Sequence, residues 1–218
     1  MILSMEKIAD TRKAYTKGAL SSGDLAADPI IQFEQWYHDA EREAGISEPN
    51  AMSLATATRQ GQPSVRMVLM KGFGKDGFIF YTNYTSRKSQ EIINNPQAAL
   101  NFWWQPLERQ VRIEGNIEKT SEELSGSYFN SRPRGSQLSA WASPQSQEIK
   151  EHYLAEKRAE IEKKFADRDT IPLPPHWGGF LLQPAVIEFW QGRNDRYHDR
   201  FRYTKSDQVG WTVKRLAP

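Results

Sequence analysis

The 218-residue chain contains no cysteine, which excludes disulfides, thiolate nucleophiles, iron–sulfur clusters and cysteine-built zinc sites together. Histidine is scarce as well: the four present lie far apart, so no short-spaced metal motif is visible and no metal is expected. Long apolar runs are missing, since no stretch approaches the ~18 apolar residues of a membrane span. Residues 1–13 carry charges throughout and lack the apolar core of a secretory signal. These absences predict a soluble, cytoplasmic protein without a membrane partner. Excess charge of one sign is missing too. With 29 Lys and Arg against 27 Asp and Glu the net charge is +2, too small to imply a nucleic-acid partner, so an electropositive site has to come from local clustering. There is no glycine-rich phosphate loop, which removes Rossmann and P-loop readings.

What is present suits a folded chain. At 38% hydrophobic and 26% charged residues it is too apolar to be disordered, and its length fits one large domain or two small ones. Residues 6–17 read as a short helix or an arm. Asp28-Pro29 opens a helix on which Phe33, Trp36, Tyr37, Ala40 and Ala44 recur at helical spacing, with Gly45 as its stop. Strands follow at 52–58, 64–71 and 78–82, and Gln60-Gly61-Gln62-Pro63 and Gly74-Lys75-Asp76-Gly77 read as hairpin connections of an antiparallel meander. Residues 85–94 read as a helix closed by Asn95-Pro96, and 98–104 and 109–118 as strands joined near Pro106. Helical patterns at 121–129 and 147–165 flank the polar, basic segment 131–136, read as a loop, and Ile171-Pro172-Leu173-Pro174-Pro175 is a rigid connector. The end returns to strands at 180–190, 196–203 and 210–216. Strands on both sides of a helical insert predict an α+β, mainly β domain over 28–218, built on an antiparallel barrel with surrounding helices, and preceded by an arm over 1–27. Closure would remove the exposed edges of such a sheet.

Four clusters carry candidate chemistry. In Arg196-Tyr197-His198-Asp199-Arg200-Phe201-Arg202-Tyr203, strand alternation predicts Arg196, His198, Arg200 and Arg202 on one face. Three guanidiniums and an imidazole repel one another unless an anion lies against them, although a solvated, salt-bridged outer face fits them equally. The aromatics of Glu188-Phe189-Trp190-Gln191-Gly192, one loop away, favour a planar anionic ligand. In Ser64-Val65-Arg66-Met67-Val68-Leu69-Met70-Lys71 two cations sit in an apolar strand and must reach solvent, a carboxylate or a ligand. Alternation puts Arg66 and Lys71 on opposite faces, so they share a ligand only at an edge or across a bulge; two cations snorkelling from a rim is the alternative.

Within Tyr81-Thr82-Asn83-Tyr84-Thr85-Ser86-Arg87-Lys88 a strand gives way to a helix capped by Thr85 or Ser86. Free backbone N–H groups there, with Arg87 and Lys88, would hold a phosphate; ordinary exposed helix cations are the alternative. Tyr128 with Ser131-Arg132-Pro133-Arg134-Gly135-Ser136 sets hydroxyls beside the arginine fork that suits a phosphate monoester, or forms a plain surface loop. Trp103, Trp104 and Trp141 read as core. Together the clusters point to a phosphorylated planar cofactor and are compatible with a phosphorylated substrate.

At these residues the sequence resembles the pyridoxine/pyridoxamine 5′-phosphate oxidase family. The likeness runs from Arg12 to Arg215-Leu216-Ala217-Pro218 and rests on long motifs. They include Tyr15-Thr16-Lys17-Gly18, Phe80-Tyr81-Thr82-Asn83, Leu107-Glu108-Arg109-Gln110-Val111-Arg112, Gln145-Ser146, Trp177-Gly178-Gly179-Phe180 and His198-Asp199-Arg200. The resemblance implies an FMN-binding split barrel, working as a homodimer with FMN at the subunit interface. It implies oxidation of pyridoxamine or pyridoxine 5′-phosphate to pyridoxal 5′-phosphate by hydride transfer to FMN, with O₂ as acceptor and H₂O₂ as product.

By the same resemblance FMN would be held by Arg66, Met67, Val68, Leu69, Met70 and Lys71, by Tyr81, Thr82, Arg87 and Lys88, and by Gln110, Gln145, Ser146, Trp190 and Arg200. Lys71, Tyr128, Arg132 and Ser136 would take the substrate phosphate, Arg196 and His198 would lie at the reacting carbon, and Arg12 and Tyr15 would belong to the closing arm. Ser139, where glycine is commoner, Tyr197, where leucine is usual, and the less basic Leu20-Ser21-Ser22-Gly23 depart from the family pattern outside these positions. Two rivals share the flavin clusters: another split-barrel FMN enzyme, separated by a substrate panel, and a non-enzymatic FMN or pyridoxal phosphate carrier, which would bind without turnover.

Overall fold

A computed structural model describes Thr11 and residues 13–218. In chain order the elements are α1 (Pro29–Arg42), β1 (Ala51–Ala57), β2 (Pro63–Leu69), β3 (Gly72–Gly74), β4 (Gly77–Asn83), α2 (Arg87–Asn94), β5 (Gln97–Trp104), β6 (Arg109–Lys119), α3 (Glu122–Ser131), α4 (Arg134–Ala142), α5 (Tyr153–Lys164), β7 (Trp177–Gln191), β8 (Asp199–Ser206) and β9 (Gly210–Leu216). Short 3-10 turns occupy Ser22–Asp24, Gln105–Leu107 and Asn194–Arg196. The strands hydrogen-bond in the order β2-β1-β5-β6-β7-β4-β3, with β8 on β7 and β9 on β8. The chain divides into two compact units: a terminal one (Met1–Pro49, Asn101–Ile113, Val186–Pro218) and a central one (Asn50–Leu100, Glu114–Ala185).

In the terminal unit α1 forms as its sequence predicts. The Asp28 carboxylate accepts the Ile30 N–H at 2.8 Å, and Pro29 fills the first helical position, where no N–H is needed. The helix stops at Arg42, before Gly45, because Glu43 is already extended and its N–H closes the last turn on the Asp39 carbonyl. Phe33, Trp36 and Ala40 are buried on one face, Phe33 edge-on to Phe102 at 5.1 Å and Trp36 edge-on to Phe189 at 5.2 Å. Full burial of each such ring contributes about 1.5–3 kcal/mol. The segment 13–17 is not helical.

The expected strand over 196–203 needs correction. Asp195 and Arg196 have positive φ (55° and 61°), the chain turns there, and β8 starts only at Asp199. Arg196 and His198 therefore share no strand face with Arg200 and Arg202. From Asp199 onward the alternation holds: Asp199, Phe201 and Tyr203 are buried and Arg202 is exposed.

In the central unit β1 pairs antiparallel with β2, from Ala51↔Leu69 to Ala57↔Pro63. The strand predicted through Lys71 ends at Leu69, and the Lys71 N–H goes to the Ile79 carbonyl instead. The Gly74–Gly77 hairpin thus joins β4 to the short β3 rather than to β2. Gly77 has φ +134°, and a Cβ there would lie 2.0 Å from the Leu182 carbonyl oxygen, so only glycine fits. On its other side β4 pairs with β7, from Phe78↔Leu182 to Asn83↔Trp177.

Two helix expectations also change. The segment read as a loop at 131–136 contains the start of α4. Arg132, ahead of Pro133, is pushed into extended conformation (φ −75°, ψ 147°), which ends α3 and lets a new helix begin at Arg134. The helix expected over 147–165 is confined to α5. Phe129, Leu138, Ile161, Phe165, Ile171 and Trp177 form the buried cluster on which α3, α4 and α5 pack.

Candidate functional site

The central unit holds a cavity of about 410 Å³ whose lining includes Lys71, Lys88 and Arg132 but, among the described residues, no Asp or Glu. The hydroxyls of Tyr81, Thr82, Tyr128, Ser139 and Ser143 and the amides of Asn83 and Gln145 share that lining with Met67, Val68, Leu69, Ala140 and Trp177. Lys88 is held by neutral groups: its Nζ donates to Gln145 Oε1 (2.8 Å), Thr82 Oγ1 (3.1 Å) and Ser86 Oγ (3.2 Å). Burial, then the Arg66 charge, brings its pKa down to about 8. Arg132 lies over the Trp177 ring at 4.7 Å, and its Nη1 is buried without a hydrogen-bond partner. Tyr81 stacks on Tyr128 at 4.0 Å and on Trp177 at 5.5 Å, the rings within 16° and 9° of parallel. Burial, with neighbouring Tyr128 and Tyr84, raises the Tyr81 pKa.

Local sequence explains this placement. Asn83 ends β4 with an Asx turn, its Oδ1 accepting the Thr85 N–H at 2.7 Å, so that α2 starts at once and carries Lys88 back beside Thr82. Two expected cofactor residues point elsewhere. Arg66 donates to the Leu54 carbonyl (3.0 Å), Thr56 Oγ1 (2.6 Å) and Ser64, and approaches Glu91 at 3.4 Å. Arg87 Nε reaches the other Glu91 oxygen at 2.8 Å. Burial pushes the Glu91 carboxyl up, but hydrogen bonds from Ser64, Thr56 and Arg87 outweigh it and hold the group at about 2.

Of the residues predicted from sequence, Met67, Val68, Leu69, Lys71, Tyr81, Thr82, Lys88, Tyr128, Arg132 and Gln145 meet at this cavity. Arg66, Met70, Arg87, Ser136 and Ser146 do not line it. Met70 is buried, Ser136 sits in the first turn of α4, and Ser146 has a strained φ of 71°. Asn83, Ser139, Ala140, Ser143 and Trp177 line it without having been predicted. Ser139 carried a signal as a departure from the family pattern. Trp177 carried one in the glycines that follow it: a Cβ on Gly178 would lie 2.2 Å from Tyr84 Oη.

The terminal unit has its own cavity, about 650 Å³, lined by Thr11, Lys13, Ala14, Tyr15, Arg193, Asn194, Asp195, Arg196 and His198. Tyr15, predicted apart from the Arg196 and His198 pair, meets both here. Tyr15 stands 5.7 Å from both the His198 and the Trp190 rings, and Trp190 lies 4.6 Å from His198. The Arg193 N–H donates to His198 Nδ1 at 3.1 Å, which leaves the neutral ring its proton on Nε2. Burial, then the Arg196 charge, lowers the His198 pKa against the opposing pull of Asp199. Arg200 clamps Glu188 Oε1 through Nε (3.0 Å) and Nη2 (2.9 Å). Gln110 is half-buried on β6 and lines neither cavity. Arg12 lies outside the described residues.

A family model described as "Pyridoxamine 5'-phosphate oxidase" matches residues 38–166, and one described as "Pyridoxine 5'-phosphate oxidase C-terminal dimerisation region" matches residues 177–218. The chain is 51% identical to a pyridoxine/pyridoxamine 5′-phosphate oxidase of Salinibacter ruber, over 98% of this chain and 100% of that one. To the protein of the same name from Acaryochloris marina it is 52% identical, over 97% of this chain and 95% of that one. Among solved structures it resembles PhzG from Burkholderia lata, crystallised with tetrahydrophenazine-1-carboxylic acid, with a TM-score of 0.84 and 30% identity over 92% of this chain and 98% of that one. A pyridoxamine 5′-phosphate oxidase-related, FMN-binding protein of Nostoc punctiforme shares the fold with a TM-score of 0.68 and 19% identity, over 89% of this chain and 100% of that one. The architecture is an antiparallel split barrel with surrounding helices: the strand pattern predicted an antiparallel barrel, and the family resemblance implied the split form.

Proposed function

The chain belongs to the pyridoxamine 5′-phosphate oxidase family, and on that footing we propose that it oxidises pyridoxamine or pyridoxine 5′-phosphate to pyridoxal 5′-phosphate with FMN as cofactor. The observation that carries this reading is the acid-free cavity with three cations, one of them the unpartnered Arg132 Nη1. Cations gathered without a carboxylate repel one another and attract an anion, and a buried guanidinium nitrogen without an acceptor is costly. Phosphate monoesters, which both FMN and the substrates carry, fit that donor set.

In this reading Lys71, Tyr128 and Arg132 hold the substrate phosphate, and Ser136, in the first turn of α4, joins them on its motif alone. Tyr81, Thr82, Lys88 and Gln145 hold the cofactor, together with the backbone of Met67 to Leu69. Arg66, Met70, Arg87, Gln110, Ser146, Trp190 and Arg200 are assigned to the cofactor on their motifs alone, and Arg12 to the substrate. Fixing a substrate by its phosphate turns an encounter into an oriented approach. Arg196 orients the reacting carbon. His198 offers a proton at Nε2, and its lowered pKa keeps the ring neutral near pH 7. FMN, when bound, supplies the two-electron acceptor for the C–H oxidation and delivers the electrons to O₂, giving H₂O₂. The N-terminal arm over 1–27 closes on the substrate through Tyr15. The protein acts in the cytoplasm as a homodimer with FMN at the subunit interface; the dimerisation-region match supports the homodimer.

The test is a visible spectrum of the purified protein, followed by pyridoxine 5′-phosphate in the absence of air. Flavin bands that bleach on addition and return with oxygen are expected. Bands that persist would overturn the reading in favour of another split-barrel flavoenzyme or a carrier.

A further inference from the structure

Two buried carboxylates fasten the segment ahead of α1 to the terminal unit. Glu108, 2% exposed, accepts the Lys17 backbone N–H through Oε2 at 2.9 Å. Asp199, 4% exposed, accepts the Leu20 N–H through Oδ2 at 3.1 Å. The residues that carry them are themselves anchored. The backbone carbonyl of Glu108 takes the Gly192 N–H at 2.8 Å, and the Asp199 carboxylate pairs with Arg193 and Arg215 at 2.8 and 2.9 Å. Between the two fastenings the chain runs close to β7: a Cβ on Gly18 would lie 3.2 Å from Gln191 Oε1, and one on Gly192 would lie 2.9 Å from Tyr15 Cγ.

Apolar anchoring of the segment is slight: the half-buried Tyr15 ring meets Trp190 and His198 edge-on, and Leu20 is buried at its end. From residue 13 to residue 19 every side chain is exposed or half-buried, and Leu20 is the first that is buried. A stretch with so little buried apolar surface opens readily unless polar contacts hold it. A buried carboxylate receiving a backbone N–H is a strong contact of that kind.

We infer that Glu108 and Asp199 are positioning residues, which act through the backbone of residues 17–20 to hold Tyr15 against His198 and so complete the wall of the cavity around Arg196. Neither carboxylate lines that cavity. The inference rests on the substrate reading proposed above, because Tyr15 matters to turnover only if the substrate binds there.

The test uses the full-length, FMN-loaded enzyme. Lys17→Pro removes the donor at an exposed position, Glu108→Leu removes the acceptor, and Glu108→Gln keeps an acceptor oxygen. In the first two the KM for pyridoxamine 5′-phosphate is expected to rise about tenfold, with kcat within about twofold of the parent, as loss of one charge-assisted hydrogen bond would give. Amide exchange across residues 13–20 should quicken while β6 to β8 stay protected and FMN occupancy stays unchanged. Glu108→Gln should restore KM. Unaltered KM and exchange in Lys17→Pro overturn the inference, and so does a Glu108→Gln variant as impaired as Glu108→Leu, which would mark a purely structural role. If the parent enzyme does not turn over pyridoxamine 5′-phosphate, the substrate reading alone fails; quickened exchange then still upholds the fastening and unaltered exchange still overturns it.

Discussion

Replacing Lys88 with methionine is expected to stabilise the flavin-free protein and to weaken its hold on FMN. Lys88 is 8% exposed, and its hydrogen-bond partners Gln145, Thr82 and Ser86 are all neutral. Burial, reinforced by the Arg66 charge, lowers its pKa from 10.5 to about 8. The folded state therefore binds this proton less tightly than the unfolded chain does. Below the folded pKa the group opposes folding in full; the penalty shrinks as pH climbs from about 8 to 10.5 and is gone above that. A shift of this size corresponds to about 3 kcal/mol, and the hydrogen bonds lost with the ammonium offset part of it, leaving a net gain of about 1–2 kcal/mol near pH 7. An anion reverses the balance, since the protonated form attracts a phosphate and the neutral form does not. Affinity of the parent protein for FMN should fall about tenfold between pH 7 and pH 9, and the variant should lose that slope. Urea unfolding of the flavin-free proteins reads the first effect, and fluorescence titration of FMN across that pH range reads the second. A destabilised variant, or one that keeps the parental slope, would refute the reasoning.

Arg132→Met should raise KM for the phosphorylated substrate about ten- to hundredfold with little change in melting temperature, because removing a buried Nη1 that has no hydrogen bond offsets the lost contact over Trp177; steady-state kinetics beside a thermal melt checks both halves. Arg196→Ala should cut kcat/KM by roughly a hundredfold while flavin absorbance stays unchanged, and parental turnover would sink its assigned role. Gly77→Ala should destabilise by more than about 3 kcal/mol in urea, because its Cβ would collide with the backbone of β7 rather than with a side chain able to move.

The parts of the fold legible in the sequence are those decided locally. Asp28-Pro29 announces the start of α1, the glycines at 74 and 77 announce a hairpin, and the strand read at 210–216 is β9 with the same bounds. Errors fall where distant chain decides. Alternation from Arg196 fails because Asp195 and Arg196 adopt positive φ, which neither residue type announces. Arg66 was correctly read as needing a partner, but Glu91, on a helix 25 residues away, answers that need, and no local pattern points to it. Asn83 and Trp177 reach the same cavity through the β4–β7 register, a pairing across 94 positions. Pro133 was visible, yet whether the chain beyond it forms a loop or a new helix depends on the buried cluster that receives Leu138 and Ala140.

A net charge of +2 left local clustering as the source of any electropositive site, and the structure shows how such a site arises without an excess of cations. Segregation does it. The buried carboxylates are each committed elsewhere: Glu91 to Arg66 and Arg87, Glu188 to Arg200, Asp199 to Arg193 and Arg215, Glu108 to a backbone N–H. None of the four lines either cavity. Lys71, Lys88 and Arg132 consequently face no competing carboxylate in that lining, and around the buried Lys88 and the half-buried Arg132 water screens the attraction for an anion poorly. The same arrangement explains why a cation such as Lys88 strains the fold: the protein holds it next to neutral groups at a cost in stability, which phosphate binding would offset in the proposed function. A carboxylate introduced at Ser143, inside the cavity lining, would neutralise one cation and should both stabilise the flavin-free protein and lower its FMN affinity; a substitution that stabilises without weakening FMN would show that the cations act independently of the anion and that segregation is not the design.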